Sequence, residues 1–465
     1  MGNPILYHII CTKKIQETEG LDLSNSISKD FKFLSLLHFA FPTMVMMVFM
    51  SLYTIVDGIF VSRLVGTSAL SALNIAYPIL SLLIAVGVMF ATGGSAIIAK
   101  KLGEGKGKEA RADFSTLILT GAILGILFLI LGNVFAEPIS RILGATDALL
   151  ADCMTYMRIS LYFAPACILQ LLFQSFFVAA GKPNLGLTLT IAGGIANMVL
   201  DYVFMGPLQM GVGGAALATG IGQLIPALFG LLYFLFMRNG SLYIVKPHFY
   251  VSLLTESSFN GSSEMVTNLS NAIITYLFNV MMLKFLGEPG VAAITIVLYG
   301  QFLFNALYMG YSMGVAPVIS FNYGKKNTVL LKRIFKICIL FISISSVVIT
   351  VLALISSPLI VEIFTPRTTE TYEIAKNGFF LFSINYIFAG INIFASSMFT
   401  AFSNGKISAI ISFVRTFGMI VANILLLPKF IGVNGIWLAV PAAEFLTIFL
   451  SIYYFYKMRK VYQYM

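Results

Sequence analysis

The sequence predicts an all-α integral membrane protein, with twelve transmembrane helices in two six-helix lobes related by a pseudo-twofold axis along the membrane normal. Three observations predict it: long apolar runs, basic residues on alternate connections, and an internal repeat. Of 465 residues, 58% are hydrophobic and 10% are charged, whereas soluble domains carry about a quarter charged residues. The mean hydropathy is +0.92. The runs have the length a helix needs to cross about 30 Å of hydrocarbon. Short alternating strands, the mark of an outer-membrane barrel, are absent.

Counted between polar breaks, the predicted helices fall at about 34–62, 69–98, 114–135, 155–179, 184–206, 213–237, 261–285, 291–320, 337–360, 377–402, 407–428 and 434–456. Basic residues lie before the first (Lys13, Lys14, Lys29, Lys32), then at Lys100 to Arg111, Lys182, Arg238 and Lys246, Lys325 to Lys336, Lys406, and Lys457 to Lys460. The intervening connections carry fewer, chiefly Arg63, Arg141, Arg367, Lys376 and Lys429. The positive-inside rule then makes both termini of a multi-pass membrane protein cytoplasmic. The net charge of +10 belongs to these loops and not to nucleic-acid recognition. Residues 1–33 lack a small-residue cleavage site and read as a cytoplasmic leader. The four cysteines, Cys11, Cys153, Cys167 and Cys338, are scattered and suggest neither disulfides nor a metal site.

The repeat appears at an offset near 221 residues. Gly66 to Leu80 matches Gly287 to Gln301, GGSAIIAKKLGEGK from Gly93 matches GVAPVISFNYGKKN from Gly314, and GVGGAALA from Gly211 matches GVNGIWLA from Gly432. AAGKP at Ala179 pairs loosely with FSNGK at Phe402. The organisation that follows is an N-lobe at 34–237, a cytoplasmic connection at 238–260, a C-lobe at 261–456 and a tail at 457–465. Six helices per half give the halves one orientation, the arrangement in which two lobes rock about a central site.

Inside the membrane the charged residues reduce to Asp57, Arg158, Asp201, Glu264, Lys284, Arg415 and Glu444. A charge at the bilayer centre costs roughly 2.5–3.5 kcal/mol on insertion scales, so each needs a partner, an ion or a cavity. Asp201 lies roughly 25 Å along the fifth helix, with Asn197 one turn earlier on the same face. Asp57, nine residues before Gly66, and Thr219 on the sixth helix reach a similar depth. Two carboxylates, an amide and a hydroxyl at one level suit a proton or a hard cation such as Na+. Hydrogen-bonded glue between helices, with one Asp held protonated, is the other reading.

The Asp57 helix, the GKPN turn, the segment IANMVLDYVFMGPLQMGVGGAALAT from Ile195 to Thr219 and the doubled layout resemble the multidrug and toxic compound extrusion (MATE) transporters, nearest to their bacterial MepA-like and DinF-like branch. The resemblance covers nearly everything after residue 33. It implies a cation or proton coupling site at Asp57, Asn197, Asp201 and Thr219, with Ala215 at the place of a contributing backbone carbonyl. It departs from the NorM-like branch: Asn271 stands about where a seventh-helix Glu is expected, and no acid occurs between Asn377 and Ala401. That speaks against a C-lobe coupling site.

Glu264 reads as only about four residues into the seventh helix, either a solvated helix-start acid or a group at the substrate or gating position. Arg415 and Glu444 both fall near the midplane, where an interhelical ion pair is the natural inference. Arg158 and Lys284 lie near helix ends and snorkel. Pro42, Pro78, Pro165 and Pro317 invite kinks. Met50 and Tyr53, with Met44, Met46, Met47 and Phe41, offer a soft surface for varied ligands. GEGKGK at Gly103 lacks the spacing of a phosphate-binding loop, and no ATPase motif occurs.

The function predicted is a secondary-active antiporter that is not an enzyme and needs no cofactor. It exports organic cations or amphiphiles in exchange for Na+ or H+ as the coupling ion, contacts membrane lipid and works as a monomer. The alternatives are a flippase for lipid-linked oligosaccharides and a membrane-embedded transferase. One deep arginine argues against the first, and the lack of a DDxxD motif or a His-Asp pair against the second.

Overall fold

The computed structural model describes residues 27–465, apart from the side chains at positions 62 and 67–70. Among these residues every regular element is helical. The spans are α1 (Phe33–Val65), α2 (Thr67–Gly103), α3 (Gly107–Val134), α4 (Asp147–Tyr162 with Ala164–Ala179), α5 (Pro183–Met205) and α6 (Gly211–Phe236), followed by α7 and α8. The last four are α9 (Thr328–Phe364), α10 (Glu370–Ala401), α11 (Gly405–Ile431) and α12 (Ala439–Tyr462). Helices α7 (251–287) and α8 (288–324) form one 74-residue run that turns at Gly287, where φ is 66° and ψ is −157°. Only a residue without Cβ takes that turn cheaply. Helix α4 is bent by 52°, with Pro165 opening its second segment. Proline lacks the N–H that a continuous helix would need there.

The repeat is written in the backbone. Positive-φ residues occur as the pairs Gly66 and Gly287, Gly105 and Lys326, Gly181 and Ser403, and Gly211 and Gly432, each 221 or 222 residues apart. The N-lobe core gathers Phe114, Phe173, Phe176, Phe177 and Phe234. The C-lobe holds one cluster around Phe379, Tyr386 and Trp437 and another around Phe335, Phe399 and Phe455.

Two expectations need correction. Of the leader placed at 1–33, residues 1–26 lie outside the described residues, and the remainder packs on the C-lobe. Ile27 and Phe31 are buried in the C-lobe cluster with Leu330, Ile334 and Phe335, and Asp30 pairs with Arg333 on α9. The connection between lobes ends at Val251, not at residue 260, so the seventh helix is ten residues longer than expected. Its polar start, TESSFNGSSE, reads as loop but is helix because the small polar residues face other helices. Ser257 and Gly261 pack on the backbone of α2 at Gly93 and Met89, and Asn260 Nδ2 donates to the carbonyls of Gly93 at 3.4 Å and Thr400 at 3.0 Å. Residues 238–250 run along α3, fixed by Arg111 to the Ser241 carbonyl at 3.1 Å and by Thr116 to the His248 carbonyl at 3.0 Å. Glu264 therefore lies thirteen residues into α7, roughly 20 Å along it.

The lobes meet at the end that carries the basic connections, through backbone. Gly103 of α2 abuts the Phe321 carbonyl, and at the same offset Gly324 of α8 abuts the Lys100 carbonyl. Gly93 of α2 faces Gly261 of α7, while Gly314 of α8 faces Ala40 of α1. Each lobe's first helix thus begins against the opposite lobe, and the pseudo-axis passes between α2 and α8. Helix α2 is buried almost throughout from Met89 to Ala99, whereas Tyr77 is 52% exposed near its other end. The same holds for α8, buried beyond Pro317 and 44% exposed at Phe302. Interlobe packing is therefore tightest at the basic end; farther along, α1 still meets α8, with Ser51 Oγ on the Phe302 carbonyl at 3.5 Å and the Tyr299 hydroxyl beside Gly58.

A Cβ at Gly103 or Gly324 would strike a carbonyl of the facing helix. Gly103→Val and Gly324→Val should each raise, several-fold, the rate at which a cysteine placed at buried Ser257 reacts with a water-soluble maleimide, in a background without natural cysteines. Unchanged rates in both would show that this contact does not hold the end shut.

Candidate functional site

Helix α5 brings the N-lobe site together because it presents glycines on two sides. Gly193 packs on the Gly222 carbonyl of α6, and Gly194 receives Phe49 and Tyr53 of α1. Such close approaches are how helices associate in hydrocarbon. One turn onward, Asn197 Nδ2 reaches Thr219 Oγ1 at 3.5 Å. Asp201 follows Asn197 by four residues, so it shares the same face. Its carboxyl group faces the Asp57 carboxyl group and the Asn197 amide. The structure thus gathers Asp57, Asn197, Asp201 and Thr219 around one point.

The electrostatics there are unusual. Asp201 is 0% exposed and Asn197 is 3% exposed. Asp57 Oδ1, Asn197 Oδ1 and both carboxylate oxygens of Asp201 are sealed from water and have no hydrogen-bond partner among the described residues. Buried polar atoms in folded proteins are nearly always satisfied, so four such oxygens in one place single this cluster out. Two facing carboxylates need either a shared proton or a cation between them. No arginine or lysine pairs with either acid among the described residues. Val61, Met205, Val212 and Ala215 wall the site with apolar surface. Ala215 is buried beside the cluster. A π-helical turn, Val61–Val65, begins four residues after Asp57, a feature that often marks functional positions.

Two residues near this site carry no signal in the sequence. Tyr156 of α4 faces both Asp57 and Asp201, and Tyr299 of α8 faces Asp57 from the opposite lobe, with its hydroxyl beside Gly58. Tyr299 fell inside a repeat match and drew no attention as a side chain. Met50 accepts a contact from Gln174 Nε2 at 3.6 Å, and Tyr53 packs on Phe49, so both are tied into the N-lobe wall.

The C-lobe contains a second polar cluster. Arg415 Nε donates to Glu444 Oε1 at 2.7 Å, Asn392 Nδ2 donates to Glu444 Oε2 at 2.7 Å, and Ser451 donates to Asn392 Oδ1 at 2.8 Å. Arg415 sits in a π-helical stretch of α11, Phe413–Gly418. Glu264, half-buried on α7, faces Arg415. Asn271 lies two turns farther along α7 and is exposed. The expectation of Glu264 as a solvated acid at the helix start is therefore corrected by its place inside the bundle.

Twelve spans in two repeats, with carboxyl groups enclosed inside one lobe, have the architecture of a membrane transporter. The MatE family model matches residues 42–203 and 265–426, one copy per lobe, and the chain belongs to that family. It is similar to the multidrug export protein MepA of Staphylococcus haemolyticus (strain JCSC1435), at 24% identity over 434 residues, 92% of this chain and 94% of that protein. MepA of Staphylococcus aureus (strain MRSA252) is also 24% identical, over 439 residues with the same shares covered. Among solved structures, an outward-facing multidrug resistance MATE transporter superposes with a TM-score of 0.87 at 20% identity, covering 92% of this chain and 96% of that one. A MOP superfamily transporter from Pyrococcus furiosus gives 0.85 at 21% identity, with the same shares covered.

Removing one partner of the buried Arg415–Glu444 pair leaves a lone charge, a loss of about 3–5 kcal/mol. Glu444→Leu and Arg415→Met should each sharply lower the melting temperature in detergent, and the double variant should recover most of the loss. A double variant as unstable as the two losses summed would show that the two side chains act independently.

Proposed function

We propose that this protein is a secondary-active antiporter that exports cationic or amphipathic organic compounds across the bacterial cytoplasmic membrane in exchange for Na+ or H+. The observation that carries the reading is the set of four donorless oxygens on Asp57, Asn197 and Asp201, completed by Thr219. A small inorganic cation or a proton is the chemistry such a set accepts. The relatives named as multidrug export proteins support an organic substrate. By the positive-inside rule the basic end and both termini are cytoplasmic, so the state described is closed toward the cytoplasm. The protein acts as a monomer in contact with lipid, and the Ala215 carbonyl completes the ion site.

Exchange requires that the ion and the organic compound prefer different lobe arrangements, because a ligand with equal preference shifts nothing. Helix α1 is the element suited to link them. Its first half rests on the C-lobe through Phe39 and Ala40, and its second half carries Asp57 to α5. An ion bound between Asp57 and Asp201 draws that second half against the N-lobe and changes the surface offered to the compound.

In vesicles holding the purified protein, with sodium and pH gradients imposed separately, one gradient should drive dye efflux. Asp57→Asn and Asp201→Asn should each reduce efflux to background while the protein remains folded in the membrane. Thr219→Ala, which removes one neutral ligand, should weaken the driving ion's affinity by roughly tenfold, about 1.4 kcal/mol. Full efflux by Asp57→Asn would remove the N-lobe cluster from the coupling step.

A further inference from the structure

On the basic side of the membrane the start of α9 and the end of α12 meet through aromatic side chains. Phe335 of α9 packs on Phe455 and Tyr464, with ring centroids 5.4 Å and 4.9 Å apart. Beside this contact lies a hollow of about 450 Å³, lined by Thr328, Lys332, Arg459, Lys460, Gln463 and Met465. Three of these side chains are cationic and none is acidic. Lys332, Arg459 and Lys460 form no ion pair among the described residues, and neither does the α-carboxylate of Met465. Asp30, on the segment that packs against α9, is taken by Arg333. Arg459 lies over the Tyr456 ring and donates from Nη1 to the Tyr456 carbonyl at 3.2 Å, which fixes the guanidinium at the rim. The two helix ends carry opposite partial charges, positive for α9 and negative for α12, so the three cations set the sign of the hollow.

Basic residues that only set topology need not converge in one recess. The other lobe shows how the same position is satisfied from within the chain. At the repeat offset Lys332 corresponds to Arg111, and Tyr464 to Tyr243. Arg111 is held by the interlobe connection: Nε donates to the Ser241 carbonyl at 3.1 Å, Nη1 donates to the Tyr243 hydroxyl at 2.9 Å, and the guanidinium covers the Tyr243 ring. In the C-lobe Tyr464 turns the other way and donates to the Phe455 carbonyl at 2.8 Å. Lys332 is left without the partners its counterpart has.

We propose that this hollow binds the phosphate of an anionic phospholipid in the leaflet that faces the basic connections. The surfaces leading away from it suit a lipid and not a free ion. Along α9, Lys332 and Lys336 are followed at four-residue steps by Leu340 and Ile344, both 53% exposed. Along α12, Lys460 is preceded at the same spacing by Tyr456 and Ile452, which are 67% and 53% exposed. Residues four apart share a helix face, so the charges stand at the head of apolar stripes that run into the membrane. A headgroup in the hollow lays its acyl chains along them. Its phosphate supplies the acceptor oxygens and negative charge that lysine and arginine take up, and basic recesses between spans at this level suit such headgroups. The bound lipid ties α9 to α12 and stabilises the C-lobe by mass action.

The test is binding of phosphatidylglycerol and of phosphatidylcholine to the purified full chain in detergent, read by native mass spectrometry and by melting temperature. Phosphatidylglycerol should bind the more tightly and raise the melting temperature. Lys332→Gln combined with Lys460→Gln should weaken that binding by tenfold or more, while the lipid-free protein melts as the wild type does, since both lysines are exposed. Lys332→Arg combined with Lys460→Arg, which keeps the charge, should retain the affinity. Lys182→Gln combined with Lys246→Gln removes two exposed charges of the N-lobe on the same side and should leave binding unchanged. Millimolar inorganic phosphate should not displace the lipid. Equal affinity in the wild type and in the Lys332→Gln, Lys460→Gln protein would overturn the site. An equal loss in both glutamine pairs would overturn it too, because that reports the overall charge of this face and not the hollow. Displacement by inorganic phosphate would assign the hollow to a free ion and overturn the lipid.

Discussion

Carboxylate oxygens enclosed in hydrocarbon without a donor are the constraint on which the rest of this structure depends. Asp201 is fully buried, and both its oxygens lack a partner among the described residues. An uncompensated charge in such surroundings is costly enough that the group neutralises or finds a counter-ion. The protein supplies an amide, a hydroxyl and a second carboxylate, all weak or competing for the same cation, and no lysine or arginine. We propose that a shared proton or a bound cation completes the cluster. The glycines of α5 serve the same end, since Gly193 and Gly194 bring α6 and α1 near enough for their oxygens to meet.

The two lobes share a backbone and differ in charge. Gly103 and Gly324 make reciprocal contacts across the pseudo-axis, as do Gly93 with Gly261 and Gly314 with Ala40. Such contacts need small residues at both members of the repeat, and both have kept them. The ionisable residues follow no such rule. At the repeat offset Asp57 becomes Phe278, which is buried in the C-lobe core, and Thr43 becomes Glu264. Packing is thus symmetric about the axis, and charge is not.

Much of this was legible in the sequence because a membrane leaves few alternatives. A backbone in hydrocarbon must satisfy itself, so apolar runs of span length gave the helices, and the doubled glycine turns gave the lobes. Isolated charges in those runs drew attention to Asp57, Asp201, Arg415 and Glu444. The polar start of α7 was misread because Ser, Asn and Gly mark loops in water and helix contacts in a membrane; Glu264 was placed too shallow for the same reason. The insertion of Ile27 and Phe31 into the opposite lobe left no trace in periodicity, since any apolar residue before a span looks alike. Tyr156 and Tyr299 were hidden among 21 tyrosines, because only tertiary packing turns them toward the acids.

The central claim, that Asp57 and Asp201 share a proton or a cation, is tested most directly by infrared difference spectroscopy of the purified protein as sodium is added at fixed pH and as pH is raised without sodium. The account predicts a carboxyl or carboxylate band that changes in one of these titrations and disappears from the difference spectrum in both Asp57→Asn and Asp201→Asn. A spectrum that responds identically in the wild type and in both variants would contradict it.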